Sequence, residues 1–159
     1  MQKNSIQQKD IFDKVMSLPL LRFFEPFYSK NKEILLYLFF GGLTFLISVT
    51  TYVYFNTNFG INELVANIMS WIIAVFFAFV TNRVWVFQAA KISKASYLKQ
   101  VLSFYGGRVF TLAVEELILY VFITRLNMNV IGIKIIAQAV VIILNYVISK
   151  CIIFKRRIA

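Results

Sequence analysis

Four stretches of the chain are almost continuously apolar: Ile34 to Phe55, Leu64 to Phe87, Val101 to Ile123 and Ile131 to Phe154. A helix needs roughly 20 such residues to cross about 30 Å of hydrocarbon, and each stretch is long enough. Polar residues collect in short joints, "NTNFGINE" between the first two stretches and "TRLNMN" between the last two. The pattern predicts an all-α integral membrane protein with four transmembrane helices, at about 34–55, 64–87, 101–123 and 131–154. Residues 1–33 precede that domain as a leader and 155–159 follow it as a basic tail.

Within the leader, Ile11, Phe12, Val15 and Met16, then Leu20, Leu21, Phe23, Phe24 and Phe27, recur at spacings of three and four among Lys and Arg. Such spacing suits an amphipathic helix lying in the membrane interface, with Pro19 and Pro26 expected to break it into short pieces. The leader lacks the short basic start and small-residue cleavage site of a signal peptide.

Composition agrees with the pattern. Hydrophobic residues make up 60% of the chain and charged ones 15%, against about 25% charged in an ordinary soluble domain. The 17 Lys and Arg outnumber the seven Asp and Glu, and their placement gives an orientation. Lys3, Lys9, Lys14, Arg22, Lys30 and Lys32 lie in the leader, Lys91, Lys94 and Lys99 in the middle loop, and Lys155, Arg156 and Arg157 in the tail. The other two loops offer only Arg125. Basic loops stay cytoplasmic, so both termini and the middle loop are expected on the cytoplasmic face of the membrane. There the cations favour anionic lipids by about 1 kcal/mol each near the surface. Nucleic acid is not an expected partner, because no soluble domain presents the charge.

The chain repeats itself. "FFGGLTF", Phe39 to Phe45, matches "FYGGRVF", Phe104 to Phe110, at an offset of 65 residues. "FVTNRVWVF", Phe79 to Phe87, matches "YVISKCIIF", Tyr146 to Phe154, at an offset of 67. Each half is then a helical hairpin, and two hairpins of one orientation form a parallel repeat about an axis along the membrane normal. Gly41, Gly42, Gly106 and Gly107 are expected to let helices approach closely; a groove for a lipid tail is the alternative.

Several ionisable residues fall inside the apolar stretches. On a rise of about 1.5 Å per residue, Arg83 and Lys150 lie about 6 Å deep, and snorkelling toward the headgroups accounts for such positions. Arg108 lies about 10 Å deep on the same rise, where a cation wants an anion. Glu115 and Glu116 follow in the same span, and Lys134 in the fourth is the better-placed partner for them. Asn67, Gln138 and Asn145 add polar edges that must find hydrogen bonds in lipid. Intramembrane charge of this kind is a functional hypothesis by default.

Other chemistry lacks its parts. The chain has no histidine, a single cysteine (Cys151), no Gly-rich phosphate loop and no Ser beside a base. Metal, nucleotide and nucleophilic sites are therefore not expected, nor is a cofactor or an independent enzymatic activity. A lipid tail bearing a phosphate fits what remains, since Arg presents forked donors to phosphate oxygens and Lys a point charge.

"YLFFGGLTF", "FVTNRVWVF" and "LNYVISKCIIF" resemble the GtrA-like family of small four-helix bacterial membrane proteins, over about Leu35 to Lys155. The resemblance implies a role in glycosylation of cell-surface polysaccharide or teichoic acid, by flipping a polyprenyl-phosphate-linked sugar to the outer leaflet. It also places Asn82 and Arg83 at the family's Asn-Arg position, with Ser149 and Lys150 at the second copy. Arg83, Arg108, Lys150 and Asn82 are then expected to bind the phosphate headgroup. Glu115, Glu116, Lys134, Asn67, Gln138 and Asn145 would line the translocation path. Separate membrane glycosyltransferases would load and unload the carrier, and a homodimer would thicken a bundle that is thin for enclosing a headgroup. Two other readings stay open, a non-catalytic accessory subunit of a membrane glycosyltransferase and a small-solute exporter.

Overall fold

The structure, a computed structural model, describes residues 11–16, 18, 22–90 and 92–154. Residues 1–10, 17 and 19–21 of the proposed leader, Pro19 among them, and the whole basic tail lie outside those residues. Every regular element among them is helical. A short helix α1 (Ile11–Met16) and a 3₁₀ turn (Arg22–Phe24) precede α2 (Glu25–Phe59). Then come α3 (Glu63–Thr81), α4 (Lys94–Leu119) and α5 (Val130–Ile148). Each of the last three ends in a π-helical turn, Asn82–Val86, Tyr120–Arg125 and Ser149–Ile153 respectively.

Local chemistry sets the boundaries. Pro26 does not break the leader as its sequence suggested; it stands in the first turn of α2, where its missing N–H costs nothing and its fixed φ suits a helix. Helix α2 therefore starts well before the apolar stretch at Ile34. It stops at Gly60, whose φ of 61° is a left-handed conformation that glycine adopts without strain. Asn62, Ser93 and Asn129 cap the next three helices, their side-chain oxygens accepting from the backbone N–H of Leu64, Ser96 and Gly132.

Among the described residues three helices are long and apolar enough to cross a membrane: Glu25–Phe59, Glu63–Val86 and Val130–Ile153. Helix α4 covers most of the third apolar stretch but carries Arg108, Glu115 and Glu116 along it, and it falls short of that apolarity.

Helix α2 packs against α3, and α4 against α5. In the first pair Ala66, Ser70, Ala74 and Ala78 are all buried on α3, a four-residue spacing of small side chains that lets backbones close up. Helix α5 buries Ile133, Ala137, Val141, Asn145 and Ser149 at the same spacing.

The two pairs meet at one end, called here the basic end because Arg83 and Lys150 lie there. Its core is aromatic. Phe87 and Phe154, equivalent in the repeat, stack with centroids 5.2 Å apart. Phe79 packs on Phe154 at 5.8 Å, and its counterpart Tyr146 packs on Phe87 at 6.1 Å. Phe104 joins them at 5.6 Å from Phe79. On the outer side, Phe12 of α1 reaches Phe40, which stacks on Trp85.

The π turns follow the repeat too. Phe87 N–H donates to the Asn82 carbonyl and Phe154 N–H to the Ser149 carbonyl, both at 2.8 Å. Insertions of this kind gather at functional positions in helices. Phe79 is fully buried, and truncating such a side chain costs about 3–5 kcal/mol. Phe79→Ala should accordingly lower the unfolding midpoint of the purified protein in detergent by several degrees or more, whereas Phe76→Ala, on the exposed face of the same helix, should barely move it.

Candidate functional site

The sequence groups Arg83, Arg108 and Lys150 into one cluster of cations, but the structure puts them to different uses. The Arg83 guanidinium donates to the Gln100 side-chain oxygen and, at 2.7 Å, to the Ala90 carbonyl. It also lies over the Tyr97 ring. Gln100 in turn donates to the Ile153 carbonyl at 2.8 Å. Arg83 thus ties the end of α3 to the start of α4 and, through Gln100, to the end of α5.

Lys150 makes the corresponding tie on the other side. Its Nζ lies 2.9 Å from Glu33 Oε1 and 3.0 Å from the Tyr146 hydroxyl, and Tyr146 donates to the same carboxylate at 2.6 Å. In both places the cation ending one half is held by a polar side chain near the start of a long helix of the other half. Neither Arg83 nor Lys150 lines the cavity described next.

Arg108 stands apart from both ties. No carboxylate among the described residues lies within ion-pair distance of it. Its guanidinium sits 5.1 Å from the Phe104 ring centroid, and the Tyr37 hydroxyl lies beside it. It faces a cavity of about 590 Å³ to which all four long helices contribute. The polar lining comes from Tyr37, Asn82, Arg108, Gln138 and Asn145, with Thr44 on the α2 side. Leu38, Phe45 and Ile142 also line it while remaining exposed on the outer surface, so the cavity opens sideways between α2 and α5. These two helices meet at the basic end, where Tyr37 packs on Tyr146 at 5.3 Å, and do not pack closely along their length.

The glycines explain the opening. Close packing was the sequence expectation for both Gly-Gly sites, and only Gly107 meets it, since a Cβ there would lie 3.2 Å from Ile148. A Cβ at Gly41, Gly42 or Gly106 would meet nothing within 4 Å. Gly41 and Gly42 form a wall of the cavity, where their missing side chains leave space for something other than a helix.

Beyond Arg108, a polar stripe continues along α4 and α5. Thr111 donates to Asn145 Oδ1 at 3.0 Å, with both residues buried. One turn further, Lys134 Nζ lies 2.7 Å from Glu115 Oε1, the partner its depth had suggested. Glu115 is 12% exposed and Lys134 55%, so only the carboxylate is enclosed. Gln138 and Asn145 line the cavity, but Asn67 and Glu116 are exposed and lie outside its lining. Sequence reasoning missed Tyr37 and Thr111. For Thr111 the signal was its spacing of three from Arg108 and four to Glu115, which places all three on one face.

The model of a family described as the GtrA/DPMS transmembrane domain matches residues 36–154, a range that includes every residue of the cavity. The chain belongs to that family. With its apolar helices, this GtrA/DPMS chain is a membrane protein. It is similar to the cell wall teichoic acid glycosylation protein GtcA of Listeria innocua, at 36% identity over 83% of this chain and 92% of that protein. The protein of the same name from Listeria monocytogenes serovar 1/2a is 34% identical over 82% and 90%. The membrane protein YwcD of Bacillus subtilis is 28% identical over 76% and 95%.

The contrast between glycines can be tested in this GtrA/DPMS chain directly. Overpacking a closed site costs about 1–3 kcal/mol, whereas a side chain entering open space costs little. Gly107→Leu should lower thermal stability in detergent by that amount, and Gly42→Leu should leave it within about 0.5 kcal/mol of wild type.

Proposed function

We propose that the protein moves a polyprenyl-phosphate-linked sugar across the cytoplasmic membrane for glycosylation of a cell-surface polymer. The observation that carries this reading is Arg108, a guanidinium with no carboxylate partner among the described residues, at the wall of a laterally open cavity. A lone cation in hydrocarbon is costly, and an anionic ligand offsets that cost when it binds. Phosphate suits it because the guanidinium fork matches phosphate oxygens. The sideways opening beside Gly41 and Gly42 suits a ligand whose tail stays in lipid while its headgroup enters. A role in glycosylation is supported by family membership and by the two Listeria relatives, which are named for teichoic acid glycosylation.

In this reading residues 34–154 are the membrane unit, with α4 as its third span and the basic end in the cytoplasm. The phosphate would dock at Arg108 and the polar groups of Gln138 and Asn145. Arg83 and Lys150 hold the cytoplasmic ends of the helices together and meet the headgroup only on its approach. Further out, Lys134 is the next cation on the polar stripe. Passage would exchange its pairing with Glu115 for one with phosphate, so the charge is never left without a partner. Asn67 and Glu116 take no part in this route. The chain's own residues offer binding and passage rather than bond chemistry, which leaves loading and unloading of the carrier to separate glycosyltransferases.

Translocation of a polyprenyl-phosphate sugar in vesicles holding only this protein tests the proposal. A charge-assisted contact is worth about 1.5–3 kcal/mol, which corresponds to roughly 10- to 100-fold in affinity. Arg108→Ala should therefore weaken lipid binding by that factor and stop transport. Arg83→Ala should instead lower stability while folded molecules still bind. Folded wild-type protein that moves no lipid would overturn the transport reading in favour of an accessory subunit.

A further inference from the structure

One wall residue of the cavity has an unmet need of the opposite kind to that of Arg108. Asn82 is 3% exposed and lines the cavity, yet its Oδ1 has no hydrogen-bond partner among the described residues. Arg108, Gln138 and Asn145 line the same cavity and carry N–H donors, yet no hydrogen bond joins any of them to Asn82 Oδ1. A buried acceptor left unmet costs about 1–3 kcal/mol.

The lacking partner has to be a donor. An ionised phosphate carries only acceptor oxygens, so it can satisfy Arg108 but never Asn82 Oδ1. Turned around, the carboxamide would present its NH2 to a phosphate; in the orientation observed it is the oxygen that needs a donor. A hydroxyl both donates and accepts, and meets the carboxamide in either orientation. We infer that Asn82 reads a hydroxyl of the sugar, and that the cavity is divided between Arg108 for the phosphate and Asn82 for the glycosyl group. Asn82 is thus a specificity-determining residue, separating the loaded carrier from the bare lipid phosphate, and not part of the phosphate site where its sequence neighbour Arg83 had suggested placing it. The inference rests on the lipid-phosphate reading above.

The test is equilibrium binding by the full chain in detergent of polyprenyl phosphate and of the same lipid esterified to glucose or N-acetylglucosamine. Wild type should bind at least one glycosylated lipid more tightly than the bare one. Asn82→Leu should lose that increment, about 3- to 10-fold for one neutral hydrogen bond, while its affinity for the bare lipid stays unchanged. Monodeoxy versions of the sugar give a check that does not require the variant to fold. Removing one hydroxyl should weaken wild-type binding by the same factor, and in Asn82→Leu that removal should have no effect. Equal weakening of both lipids by Asn82→Leu, or no weakening of either, as when water alone fills the site, overturns the inference. So does wild type that binds bare and glycosylated lipids alike. Arg108→Ala distinguishes the two levels: if it leaves both affinities intact, the lipid-phosphate reading itself has failed.

Discussion

Two phenyl rings that the repeat makes equivalent, Phe87 and Phe154, stack at 5.2 Å, and the rest of the bundle is arranged around that contact. It joins the end of one helix pair to the end of the other. Phe79 and its counterpart Tyr146 extend the symmetric contact, and Phe104 joins the cluster from the second half alone. Aromatic edge and stacking contacts give such a cluster a defined geometry. In a membrane, where lipid is as apolar as any side chain, packing of this kind rather than water exclusion holds helices together.

Polar groups in hydrocarbon must find partners within the protein, and the basic end does so thoroughly. Arg83 and Lys150 are held across the repeat by Gln100 and Glu33, which leaves neither cation free for a ligand at the cavity. Just beyond them the rule lapses. Among the described residues Arg108 has no carboxylate and Asn82 Oδ1 no donor, and both residues line the same cavity. In the reading proposed above, a sugar phosphate would supply both partners.

The outward continuation is again satisfied, by Thr111 with Asn145 and by Glu115 with Lys134. The polar stripe on α4 and α5 therefore alternates between an open site and a closed pair. In the transport reading proposed above, a headgroup leaving Arg108 would meet at Lys134 a cation already paired with Glu115, and would have to compete with that carboxylate.

The sequence by itself determined the helical class, three of the four membrane-crossing stretches expected from it and the internal repeat, because these depend on residue type and local periodicity. The pairing of Lys134 with Glu115 was also legible, since depth along a helix follows from counting residues. What it could not determine was which polar groups are consumed by the fold. Arg83 and Arg108 look alike in a hydrophobic run, and Asn82 stands next to the wrong one of them. Gly41 and Gly107 look alike too, yet one faces open space and the other Ile148. These distinctions depend on which helix lies opposite, and only the tertiary structure decided that, through aromatic contacts between residues far apart in the chain.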